Sequence, residues 1–281
     1  MKKQLIQIPL VAFAGMVSAT LSAATIWTGN ANDGDLFGTA GNWDTGLPGT
    51  GVATIGNGDT VDLSTNYATS IDQLIVEGSS TLNASADFTA ELLTIKDTST
   101  VNLTGGAFTL PGAENGSGLH IASGGTLNIS GGTHTINQRT VNNGTFRVDG
   151  SGSGSFIGLN QMTIHEGGDG VFDFIFDSGG ISTIKGVSGF AWFSIASATV
   201  SVDASAVAGI VGSYTLFDSH AAGTMFTAGQ VTVDPSLGVE GVDWNLVITE
   251  NINGSGLRDT VVLNVIPEPS TYALIGGLLA L

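Results

Sequence analysis

The chain of 281 residues contains no cysteine, which removes disulfides, thiolate metal sites and cysteine nucleophiles at once. Cations are almost as scarce, with 7 Lys and Arg against 24 Asp and Glu, a formal net charge of -17. Nucleic acid is excluded as a partner, because neutralising phosphates needs clustered cations. Only 11% of the residues are charged, so the solvated surface must rest on Ser, Thr, Asn and Gly. Hydrophobic residues still make up 42%, more than an acidic disordered chain carries. No His-Glu-x-x-His, Gly-x-Ser-x-Gly or phosphate-binding loop occurs. What is abundant is glycine: 42 residues, roughly twice ordinary usage.

The two ends read as addresses. Met1-Lys2-Lys3, an apolar run from Leu5 to Val17 and small residues from Ser18 to Ala24 have the three parts of a secretory signal peptide. The expected mature start is near Thr25, with the Sec translocon as a transient partner. Without Lys2 and Lys3, five cations face 24 acids, so the expected mature chain carries -19.

The other end reads Val265-Ile266-Pro267-Glu268-Pro269-Ser270-Thr271-Tyr272, followed by an apolar run to Leu281. Two prolines around one residue stop a strand and leave an extended, accessible peptide. This stretch resembles the PEP-CTERM sorting signal of Gram-negative bacteria, carried here by Pro267, Glu268 and Pro269. The resemblance implies recognition by an exosortase and delivery to the cell surface or an extracellular polysaccharide matrix. It departs from that pattern in one respect. The run from Tyr272 to Leu281 is about half the length of a membrane span and no Lys or Arg follows it. A truncated sorting signal, or a degraded one that releases the protein, is therefore expected for residues 266–281.

Between these ends a unit recurs. Leu74-Ile75-Val76-Glu77-Gly78-Ser79-Ser80-Thr81-Leu82-Asn83 aligns with Leu93-Thr94-Ile95-Lys96-Asp97-Thr98-Ser99-Thr100-Val101-Asn102 at an offset of 19, and that copy aligns with the segment from Leu119 to Asn128 at 26. Gly144-Thr145-Phe146-Arg147-Val148 follows Gly125-Thr126-Leu127-Asn128-Ile129 at 19, and a fifth copy starts at Met162. Alternation with period 2 puts the apolar residues of each unit on one face. A unit of about 20 residues cannot bury that face alone, so neighbours must stack. The expected fold is all-β, a right-handed parallel β-helix with N- and C-terminal caps, its rival an antiparallel β-sandwich. The expected organisation is a signal peptide over 1–24, an N-terminal cap over 25–62, repeats over 63–205, a C-terminal β cap over 206–265 and the sorting signal over 266–281. In the cap, Ile26-Trp27-Thr28-Gly29-Asn30 and Gly41-Asn42-Trp43-Asp44 resemble the opening region of exported autotransporter-like β-helix proteins.

Parallel β-helices also host polysaccharide lyases and hydrolases, which need a base opposite acids or a pair of carboxylates. Arg139 and Arg147 are spaced so that they could share a face. The densest acidic group is Asp169, Asp173 and Asp177 with His165 and Glu166 nearby, Phe172, Phe174 and Phe176 falling on the opposite face. Solvated side chains explain both groups more simply. No catalytic residue is therefore assigned, and a polysaccharide-degrading enzyme or a passive carbohydrate-binding module stands as the alternative function. Calcium is the one cofactor considered. Its candidate ligands are Asn30, Asn32, Asp33 and Asp35, in a loop with Gly41 where an EF-hand needs glutamate, and a hydrogen-bonded Asx turn is the competing reading. The histidines, His120, His134, His165 and His220, have no ligand spacing and read as surface-turn residues, with a stacked His120 and His134 as the variant. The leading expectation is an exported, non-enzymatic structural or adhesive protein whose partner is extracellular polysaccharide.

Overall fold

The computed structural model describes residues 24–31, 33–111, 117–150, 156–163, 170–186, 192–194, 198–205, 211–219, 231–233, 238, 240–249 and 259–266. Residues 1–23 and 267–281, which hold all but one residue of the expected leader and of the expected sorting signal, lie outside them. Among the described residues the only helix is one 3-10 turn, Ala40–Asn42.

The strands form two sheets. The eight-stranded sheet stacks Thr60–Leu63, Thr81–Ala84, Thr100–Leu103, Thr126–Ile129, Thr145–Asp149, Val171–Ile175, Thr199–Asp203 and Val231–Val233 in chain order, every neighbouring pair parallel. The other sheet has 13 strands and is parallel up to its last members. The chain is thus a parallel β-helix, and the sandwich alternative fails because no antiparallel strand pair lies among the described residues between 74 and 148.

Each coil adds three strand segments. Phe88–Ile95 pairs through its first residues with Phe108–Leu110 and through its last with Ser117–Ile121, so one long strand spans two sides of the coil. A change in side-chain phase marks the corner: Phe88 and Ala90 face inward before it, Leu93 and Ile95 after it. In Thr133–Asn142 the register shifts at the equivalent place, between Ile136 and Arg139, and in Tyr67–Val76 it shifts just before it, between Tyr67 and Ile71.

The register reproduces the repeats. Leu74 pairs with Leu93, Leu93 with Leu119, and Thr126 with Thr145. Met162 shares the Thr140 rung with Leu119, as the fifth copy requires. Inward residues form continuous columns, such as Val61, Leu82, Val101, Leu127, Phe146, Phe172 and Val200, all fully buried. Residue size varies along the columns: Ala84 sits between Leu63 and Leu103, and Phe174 between Val148 and Val202.

The turns stack as regularly as the strands. Ser80 and Ser99 are fully buried, and their hydroxyls accept the amides of Gly58 and Ser80 from the preceding coil. The parallel stack starts with Thr25–Ile26 on Val52–Ile55, inside the segment expected to form the cap. At the other end Gly212–Ser219 pairs parallel with Ile184–Gly186 but antiparallel with Asp259–Val265, which pairs antiparallel with Trp244–Thr249. That reversal marks the end of the parallel progression in the larger sheet.

Candidate functional site

The N-terminal end is organised by Asn42, a fully buried amide. Its Oδ1 accepts from the Ala31 amide at 2.7 Å, and its Nδ2 donates to Asp33 Oδ1 at 2.9 Å and to the Leu36 carbonyl at 3.1 Å. The adjacent Trp43 packs edge-on against Trp27 and Phe37, with ring centroids 5.1 Å away in each case. Its indole N–H donates to the Phe37 carbonyl at 2.9 Å, which satisfies the one polar atom of a buried ring. Asp44 accepts from the Ile26 amide and the Thr25 hydroxyl, and the amide bond holds its carboxyl below the usual range. The Gly41-Asn42-Trp43-Asp44 motif therefore folds a lid over the first coil.

This lid uses the candidate calcium ligands. Asp33 is engaged by Asn42 and by the Leu36 amide, and hydrogen bonds from the Thr39 and Asn42 side chains lower its pKa. Asp35 adopts a left-handed φ of 61° and accepts the Asp62 amide through its carbonyl. Asn30 is exposed, and Asn32 lies outside the described residues. Among the described residues no three His, Asp or Glu side chains are grouped to hold a metal.

Arg139 and Arg147, which the spacing would have allowed to share a face, lie on different sheets. Arg139 belongs to Thr133–Asn142 in the larger sheet, whereas Arg147 belongs to Thr145–Asp149 in the smaller one. A corner lies between them, which a linear spacing of eight does not reveal. Arg147 Nε instead donates to Asp173 Oδ2 on the next coil at 2.8 Å. Phe172, Phe174 and Phe176 point into the core, so Asp173 faces outward as the alternation predicts. Asp177 accepts from the Gly179 amide at 2.7 Å and shapes a turn. His165, Glu166 and Asp169 lie outside the described residues.

His134 corrects the reading of surface histidines. It is fully buried, its Nδ1 accepting from the Phe108 amide and its Nε2 bonded to the Gly131 carbonyl at 2.6 Å. Burial pushes its pKa down, and the Gly131 contact opposes this. His120 aligns with Val141 and Thr94, so the two histidines do not stack.

Outward residues of the smaller sheet form two columns. One is threonine at 60, 81, 100, 126 and 145. Beside it run Asp62, Asn83, Asn102 and Asn128, each amide donating to the rung before at 2.9, 2.8 and 3.4 Å. Arg147 and Asp173 continue that column as an ion pair. The result is a rigid array of hydroxyls and amides at the strand spacing, about 4.8 Å.

A cavity of about 290 Å³ opens where this face meets the lid, lined by Leu36, Leu47, Asp62, Ser64, Thr65 and Tyr67 among others. It joins the 36–47 loop to the first corner of the coil. No sequence signal marked it, because its walls come from segments about 20 residues apart whose contact only the lid creates.

Fold and surface together define a capped parallel β-solenoid with a polar outward array and aromatic packing at its N-terminal lid. No protein-family model, curated protein or solved structure matches this chain.

Proposed function

We propose that the chain is an exported, non-enzymatic structural or adhesive protein of the cell surface or extracellular matrix, sorted by an exosortase-type system. The observation that carries this reading is the outward array of the smaller sheet. It offers hydroxyl and amide groups in register over successive coils, suited to many weak contacts with polysaccharide. The basic-apolar-small leader and the Pro267-Glu268-Pro269 tail supply the export half of the reading. Arg147, the cation nearest the conspicuous carboxylates, is paired with Asp173, an arrangement that favours a structural role for both.

Fractionating bacteria that express the full chain tests the proposal. Labelling of intact cells or recovery from the matrix is expected. Replacing Pro267, Glu268 and Pro269 together with alanine should redirect the chain to another fraction. A cytoplasmic parent chain, or unchanged delivery of the variant, overturns the sorting claim. Turnover of any glycan that disappears with Arg147→Met or Asp173→Asn overturns the non-enzymatic one.

A further inference from the structure

We infer that the cavity beneath the N-terminal lid is a binding site for one unit of a neutral, pyranose-based oligosaccharide. The inference rests on the adhesive reading above and names the ligand class and the place.

The walls have two characters. Leu36 and Leu47 are 38% and 45% exposed, the price of an apolar surface that folding leaves in water. On the polar side stands Asp62, whose Oδ1 is held by Asn83 Nδ2 at 2.9 Å. Its Oδ2 has no partner among the described residues, and neither do the hydroxyls of Ser64 and Thr65. Tyr67 is fixed between them: its hydroxyl donates to the Pro48 carbonyl and its ring packs edge-on against Phe37, centroids 5.1 Å apart. The site is therefore preformed, and a ligand need not order it.

A pyranose has the matching amphipathic form. Its axial C–H bonds present an apolar patch that would lie on the leucines. Its equatorial hydroxyls can donate to the open Asp62 oxygen and exchange hydrogen bonds with Ser64 and Thr65. The volume, near the lower end of ligand cavities at roughly 300 Å³, admits a sugar unit rather than a large cofactor. Charge narrows the class further. Asp62 is the acidic group of the lining and no cation faces it, so a uronate would be repelled and a neutral sugar is selected. Asp62 also begins the column that continues through Asn83, Asn102 and Asn128, so further units can extend over polar groups already in register.

The test titrates the full chain with cellotetraose, xylotetraose and galactotetraose, with tetragalacturonate as the acidic comparison, while following the methyl resonances of Leu36 and Leu47. At least one neutral tetraose should shift both residues saturably, and tetragalacturonate should not. Leu47→Glu and Asp62→Asn should each weaken binding about tenfold or more, the loss of one good contact. Val247→Glu, an equally exposed change at the other end, should bind as the parent does. If no neutral tetraose shifts these residues, if both cavity variants bind normally, or if tetragalacturonate binds as well, the proposal is overturned. Cell fractionation is independent of this result, so a failed sugar site with correct surface delivery sinks the cavity alone. Sugar binding by a cytoplasmic chain sinks the export reading alone.

Discussion

Gly132 lies so close over Gly106 that a Cβ on Gly132 would stand 2.4 Å from the Gly106 carbonyl oxygen. Gly106 in turn crowds the Ala86 backbone at the same distance, and the two glycines have φ of 89° and 66°. The obstacle is backbone in both cases, so no side chain can swing aside. Gly132→Ala should therefore cost more than the about 1–2 kcal/mol of a left-handed conformation alone, since coils must also separate. Urea unfolding should show the loss, and Gly38→Ala, at a position with open space and ordinary φ, should leave the midpoint nearly unchanged.

Removing a ring from the aromatic core beside Phe217 should be as severe. Phe174 is fully buried and meets Phe217 edge-on at 5.3 Å. Phe174→Ala should destabilise by about 3–5 kcal/mol, because the surrounding strands are hydrogen-bonded in place and cannot collapse into the void. The measurement is the thermal or urea unfolding free energy.

The lid should depend on Asn42 more than on either tryptophan's own bonds. Asn42→Ala takes the acceptor from the Ala31 amide and a donor from Asp33, while the Leu36 carbonyl keeps the Thr39 amide, so a loss of about 1–3 kcal/mol is expected. Tryptophan emission should move to longer wavelength as Trp27 and Trp43 gain water, before the rest of the chain unfolds.

Acid should weaken the coil junction at His134. Its pKa in the fold lies below the ordinary 6.5, so the folded chain resists a proton that the unfolded chain accepts. The associated stability is present above about pH 6.5 and is lost as pH falls through that value toward the lowered one. His134→Gln should flatten the unfolding midpoint between pH 7.5 and 5.5. Asp33 and Asp44, both with lowered pKa, act in a more acidic window: their contribution is present above about pH 4 and lost below it.

The Arg147 to Asp173 pair should matter little to stability. Arg147 is 39% exposed along its side chain, so solvent screens the pair. Asp173→Asn should change the unfolding free energy by about 1 kcal/mol or less, and added salt should shrink the difference further.

The sequence by itself determined the coil. Offsets of 19 and 26 placed Leu74, Leu93 and Leu119 on one rung, and strict alternation sent Phe172, Phe174 and Phe176 inward and Asp173 outward. Both follow from local rules, since a strand alternates faces and identical units stack in register. Only the tertiary structure decided what happens at corners and at the lid. Arg139 and Arg147 parted because a corner breaks the alternation between them. His134 went inside because its strand supplies the inward phase there and the Gly131 carbonyl and Phe108 amide meet its two nitrogens. The cavity beside Asp62 exists only because Asn42 and Trp43 fold the 36–47 loop back onto the first coil, a contact between segments that no periodicity links.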